Sequence, residues 1–186
     1  MAKGNNKIFG LIVLIAVIFL TGRAWINNGG LESFTESTDF NRLIGDPIVE
    51  ARSYQGQEVY MTEISPEAGD EYIYFSLKRV DQKNIIFFEV ENKIGSLVPL
   101  IAYITPTGRL FVGTSLCEPC GGRRLHLKDD TVVCNRCNTT YNIENRVGIR
   151  GTAACMEYPP VAVDYRIIDD QIKIPIREIK YWKPRL

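Results

Sequence analysis

From Glu58 onward, apolar and polar residues follow the period of β-strands. Ile73, Phe75 and Leu77 alternate with Tyr72, Tyr74 and Ser76, which places one row on a core face and the other toward solvent. Ile85–Val90 (IIFFEV) is dense in β-branched and aromatic residues. Leu97–Thr105 and Leu110–Leu116 flank Pro106-Thr107-Gly108, which reads as a hairpin turn. Leu125–Leu127 and Thr131–Val133 flank Asp129-Asp130. Val161, Val163, Tyr165 and Ile167 alternate, as do Ile172, Ile174 and Ile176, with Asp169-Asp170 between the two runs. Many short strands at short turn spacing predict a mainly β chain, a single small sandwich or barrel-like domain over residues 58–186.

The N-terminal part has a different pattern. Lys3 and Lys7 precede an unbroken apolar run, Ile8–Leu20, which Thr21 and Gly22 extend to Arg23. A spanning helix needs about 17–20 apolar residues. Ile8–Gly22 falls slightly short, and Ala24–Ile26 complete the span if Arg23 snorkels to the headgroups. Residues 1–26 are therefore expected to be a signal-anchor or transmembrane helix, and a cleaved signal peptide has the same outline. The lysines before the run predict a cytoplasmic N-terminus, with the rest outside a single-pass cytoplasmic membrane anchor. Asn27-Asn28-Gly29-Gly30 reads as a flexible joint. Ser33-x-x-Glu36 has the capping-box form, predicting a short helix over about Phe34–Ile44, so residues 27–57 read as linker and short helix.

Composition adds exclusions. The 22 basic and 22 acidic residues balance to a net charge of zero, which gives no electrostatic footprint for nucleic acid. With one histidine the chain offers no Ser/His/Asp set, and it has no phosphate-cradling glycine motif, so no catalytic residues are assigned.

The chemistry lies in the five cysteines. Cys117-Glu118-Pro119-Cys120 and Cys134-Asn135-Arg136-Cys137 are two Cys-x-x-Cys pairs separated by residues 121–133, a hairpin with Gly121-Gly122 at one end and Asp129-Asp130 at its tip. Two residues between cysteines let both sulfurs of a knuckle face one ion, and two knuckles complete a tetrahedron. Four thiolates suit zinc, a single iron or an iron–sulfur cluster, with a pair of disulfides as the non-metal alternative. Gly121 and Asn138 follow the pairs where c-type haem attachment requires histidine, and one histidine is too few for a Rieske centre. His126, inside the hairpin, is a candidate to hydrogen-bond a ligand sulfur. Cys155 is a candidate additional ligand or redox thiol.

The order of these blocks resembles the bacterial and archaeal iron–sulfur-containing membrane protein family, a domain of unknown function. The resemblance runs from about Glu58 to Ile176. It is carried by Ile86-Phe87-Phe88, Thr107-Gly108-Arg109-Leu110, the two knuckles, Tyr141-Asn142-Ile143, Cys155 and Pro159-Pro160. Asn138 and Ala153-Ala154 stand where the family usually has glycine. The resemblance implies Cys117, Cys120, Cys134 and Cys137 as ligands and a Rieske- or rubredoxin-like β domain by analogy. It also implies a membrane setting beside a membrane reductase or a metal-transport system. The expected function is an extracytoplasmic iron or iron–sulfur electron carrier, and a structural zinc ribbon in a membrane complex is the alternative.

Overall fold

The computed structural model describes residues 45–186. The apolar run Ile8–Leu20 and the expected helix Phe34–Ile44 lie outside the described residues. Among those described, no helix is long and apolar enough to cross a membrane.

The protein is mainly β. Strands β1 (Glu58–Tyr60), β2 (Thr62–Glu63), β3 (Glu67–Ala68) and β4 (Tyr72–Ser76) precede helix α1 (Leu77–Lys83). A meander of β5 (Ile85–Glu91), β6 (Leu97–Ile104) and β7 (Leu110–Thr114) follows. Next come β8 (Leu125–Lys128), β9 (Thr131–Cys134), β10 (Thr140–Asn142), β11 (Gly148–Arg150) and helix α2 (Ala153–Glu157). The hairpin β12 (Arg166–Ile168) and β13 (Gln171–Pro175) comes last. The strands form three sheets, ordered β1-β8-β9-β10-β11, β12-β13-β4-β3 and β2-β5-β6-β7.

The third sheet is the middle layer. Ile86, Phe88, Leu100, Ala102, Leu110 and Val112 pack on one side against Ile73, Phe75, Ile172 and Ile174 of the β12-β13-β4-β3 sheet. Ile85, Ile101, Tyr103 and Phe111 pack on the other side with Leu125, Leu127, Val132 and Cys134 of the five-stranded sheet. A sheet covered on both faces has no solvent side, so its strands carry continuous apolar runs rather than alternation. Seven of the eight residues of β6 and all five of β7 are accordingly buried. The outer strand β4 keeps its alternation, with Ile73 and Phe75 inward between half-buried neighbours. Three layers thus replace the two-layered sandwich or closed barrel that the strand count alone implies.

Two local features depart from the expected pattern. The period-2 row Ile73, Phe75, Leu77 continues in sequence, but the chain turns helical at Leu77. Leu77 and Val80 are both buried, an i,i+3 pair on one helix face. Asn84, at φ 62°, then reverses the chain into β5. Second, part of the stretch read as linker is packed on the body. Ile48 and Val49 donate backbone N–H groups to the Gly108 carbonyl (2.9 and 3.2 Å), Arg52 pairs with Asp81, and Tyr54 is 1% exposed. Gly108, at φ 81°, admits this approach because a Cβ there would collide with the Val49 carbonyl. The β12–β13 hairpin turns on Asp169 and Asp170 at φ 52° and 59°, the left-handed pair that a tight two-residue hairpin needs.

Candidate metal centre

The two knuckles are local structures of the same design. Cys117 follows β7, and Glu118–Cys120 form one 3-10 turn with proline inside its first turn, where a missing N–H costs nothing. The N–H of Gly121 donates to the Cys117 carbonyl (2.8 Å), and the N–H of Cys117 donates to the Gly122 carbonyl (2.8 Å). The second knuckle repeats both bonds: Asn138 to the Cys134 carbonyl and Cys134 to the Thr139 carbonyl, each 2.9 Å. Gly121 (φ 67°) and Asn138 (φ 58°) occupy equivalent left-handed positions. Asparagine is the residue after glycine that visits this region most readily, so the substitution at position 138 preserves the turn.

Strands β8 and β9 bring the knuckles together. They pair in register from Leu125↔Cys134 to Lys128↔Thr131. This folds residues 121–133 back on themselves and sets the second knuckle beside the first. All four sulfurs then lie within 4.8 Å of one another. Cys117 Sγ is 3.8 Å from Cys137 Sγ, and Cys120 Sγ is 3.7 Å from Cys134 Sγ. Two thiolates bound at about 2.3 Å to one tetrahedral ion stand about 3.8 Å apart. The sulfurs therefore fit a single zinc or iron ion. The same distances are far beyond a disulfide bond of about 2.05 Å, and all five cysteines are free thiols.

Burial grades the site. Cys117 and Cys134 are fully buried in the cluster between the middle and five-stranded sheets, whereas Cys120 and Cys137 are half-buried. A shallow cleft of about 450 Å³ borders the first knuckle at Glu118 and Gly121, and one of about 310 Å³ runs between the knuckles, lined by Gly121, Gly122, Arg123, Arg124, Asn135 and Arg136. The contact with Cys117 holds the Cys134 thiol down at about 5. The same contact, then burial, pushes Cys117 up, and burial pushes Cys120 up to about 11.

Several surrounding groups carry no cysteine signature. The Gly122 N–H donates to Cys120 Sγ (3.4 Å), and the Cys137 thiol donates to Thr139 Oγ1 (3.2 Å). Tyr141 places its hydroxyl 3.5 Å from Cys117 Sγ and donates it to the Cys155 carbonyl (2.7 Å). Tyr141 belongs to the Tyr141-Asn142-Ile143 block, so its sequence signal was visible but its role was not. Glu118 accepts two bonds from Arg185, a partner 67 positions away that only tertiary structure reveals.

Cys155 and His126 take different places. Helix α2, capped by Thr152 Oγ1 accepting from the Cys155 N–H, sets Cys155 Sγ 3.9 Å from Cys137 Sγ. The Thr152 hydroxyl also draws the Cys155 thiol below its ordinary value. His126 points its Nδ1 at Asn135 Oδ1 (2.7 Å) and stacks on Tyr60 with ring centroids 5.0 Å apart. It contacts the second knuckle through Asn135, not through a sulfur.

No curated protein and no solved structure matches the chain. A family model described as membrane iron-sulfur containing protein FtrD-like matches residues 80–186, more than half of the chain and the whole cysteine cluster. The match begins later and ends later than the stretch Glu58–Ile176 that carried the resemblance in sequence. With four clustered thiols able to hold iron or zinc inside the matched segment, this chain belongs to the FtrD-like family of membrane iron–sulfur-containing proteins.

Proposed function

We propose that the protein is a membrane-anchored, extracytoplasmic electron carrier built on one iron ion held by Cys117, Cys120, Cys134 and Cys137. The sulfur spacing of 3.7 and 3.8 Å, the edge length of a single-ion tetrathiolate tetrahedron, supports one ion, and membership in an iron–sulfur-containing membrane family supports iron. Bound there, iron supplies one-electron exchange between its ferric and ferrous states. The chain's own groups do the tuning. The Gly122 N–H and the Thr139 hydroxyl lie within hydrogen-bond reach of Cys120 and Cys137, while the Tyr141 hydroxyl, its proton on the Cys155 carbonyl, packs against Cys117. Donation to a thiolate spreads its charge and favours the reduced state.

Half-burial of Cys120 and Cys137 leaves one side of the site near the surface, where an electron partner can approach, while Cys117 and Cys134 fix it in the core. The segment 1–26 would be the anchor and the soluble body would lie outside the membrane. The fitting partner is a membrane reductase or a metal-transport system.

Burial of Cys117, Cys134 and Cys155 in the cluster beneath the five-stranded sheet favours a second reading, a structural zinc ribbon. One measurement separates them: metal and acid-labile sulfide content, with a visible spectrum, on protein purified without oxygen. One iron per chain without sulfide, and colour that bleaches on reduction, is expected. One colourless zinc per chain would overturn the electron-carrier reading, and labile sulfide would replace the single ion by a cluster.

A further inference from the structure

A tetrahedral ion takes four thiolates, and the fold delivers five. Cys155 is held beside the site by three independent devices. Thr152 caps its helix by accepting the Cys155 N–H, Tyr141 donates to its carbonyl at 2.7 Å, and the preceding Gly151 (φ 147°) packs tightly on Thr139 of the second knuckle. The result is a sulfur 3.9 Å from Cys137 Sγ, almost the same distance that separates the sulfurs within the four-thiol cluster. Cys137 is thus shared. It faces Cys117 on one side and Cys155 on the other, and it is partly exposed while Cys155 is 3% exposed.

We propose that Cys137 and Cys155 are a dithiol pair whose oxidation to a disulfide withdraws one ligand and releases the ion, making the centre a redox-controlled metal site. This rests on the reading of Cys117, Cys120, Cys134 and Cys137 as an ion's ligands. The oxidant is a disulfide, small or on a protein. The accessible Cys137 sulfur attacks it, forming a mixed disulfide and expelling one thiolate. The buried Cys155 sulfur then attacks the Cys137 sulfur and expels the second. The bound Cys137 thiolate and the Cys155 thiol together lose two electrons and one proton, the oxidant takes these with one proton from water to become two thiols, and one S–S bond forms for the one broken. The sulfurs need to close from 3.9 Å to about 2.05 Å. Left with three thiolates, the site has an open fourth position and a weaker hold on the ion, which a competing chelator can then remove. Partial exposure of Cys137 and burial of the resolving Cys155 order the two steps, since an oxidant reaches Cys137 first.

The test uses the full chain, metal-loaded and reduced, exposed to oxidised glutathione. Bound metal is followed with a chromophoric chelator and disulfides by peptide mapping. A single Cys137–Cys155 disulfide forming in step with ion loss, reversed by a dithiol reductant and fresh metal, is expected. In Cys155→Ser, with metal content and melting temperature of the parent, ion loss should slow about tenfold or more, because the intramolecular second step is gone. Disulfides within Cys117/Cys120 or Cys134/Cys137, or equal ion loss from Cys155→Ser, would overturn the proposal. Mapping the unaltered chain needs no variant to fold. If the reduced chain binds no ion, the ligand reading fails and the release step with it, while a Cys137–Cys155 disulfide in that metal-free chain would still establish the dithiol pair.

Discussion

Gly122 stands against Cys134 so closely that a Cβ in place of its hydrogen would lie 2.7 Å from Sγ, and 3.3 Å from Cys120 Sγ. The residue is glycine because the first knuckle's exit runs between two ligand sulfurs, not for a special φ. Gly122→Ala is therefore expected to push Cys134 and Cys120 apart and to lower metal affinity by at least about tenfold, or about 1.4 kcal/mol. The middle and β12-β13-β4-β3 layers should fold normally. Metal titration beside circular dichroism checks this, and an alanine variant with parental affinity would remove the steric argument.

The second knuckle depends on conformation instead of space. Asn138 sits at φ 58° with its N–H on the Cys134 carbonyl. Asn138→Gly should stay within about 0.5 kcal/mol of the parent, with relief of strain and loss of chain stiffness opposing each other. Asn138→Val should cost about 1–2 kcal/mol, because a β-branched residue is poorly accommodated there. Chemical denaturation of both variants reads the difference. Equal stability of the glycine and valine variants would mean that the left-handed turn does not constrain this knuckle.

These two positions show how far the sequence could be read. Both knuckles and the β8–β9 hairpin were legible because their spacing, turn residues and alternation are local. The β6–β7 hairpin was legible for the same reason. The α1 helix was not: its only signal is the change from the Ile73–Phe75 period to the Leu77–Val80 period, over seven residues without a side-chain cap. Nor was the third layer, since Ile86 and Ile85 read alike until the sheets on opposite sides of β5 are known. The companions of the site, Tyr141, Thr139 and Arg185, are ordinary residues placed by tertiary packing. His126 lay inside the hairpin as expected, but the strand's alternation turned it to Asn135 and Tyr60.

A third prediction concerns the outer wall of the first knuckle. The Glu118 side chain is 1% exposed and its carboxylate takes the Arg185 N–H (2.7 Å) and Nε (2.8 Å), while Arg185 Nη2 donates to the Pro159 carbonyl (2.9 Å). Arg185→Ala leaves a buried carboxylate short of a charged donor and should cost about 1–2 kcal/mol, moderated because the arginine is itself 39% exposed. Glu118→Gln keeps an acceptor and the shape and should cost less. A double-mutant cycle should then return a coupling of at least about 0.5 kcal/mol. Additive effects would show that the clamp contributes nothing as a pair.

Alkaline stability follows from the tyrosines away from the cysteines. Tyr54 donates its hydroxyl to the Ile104 carbonyl (2.8 Å) and Tyr165 to the Leu110 carbonyl (2.9 Å). Burial pushes both up to about 12, with Arg52 partly opposing the shift at Tyr54. An unfolded chain loses these protons near pH 10. Because the folded values are raised, the stabilising contribution is complete below pH 10 and disappears as pH climbs through 12. A phenolate could no longer donate and would face a carbonyl oxygen. The free energy of unfolding should therefore decline between pH 10 and 12. Tyr54→Phe and Tyr165→Phe, each costing about 1 kcal/mol at neutral pH, should make that decline shallower. Urea melts at stepped pH measure it. A decline of the same slope in the double phenylalanine variant would assign alkaline unfolding to other groups.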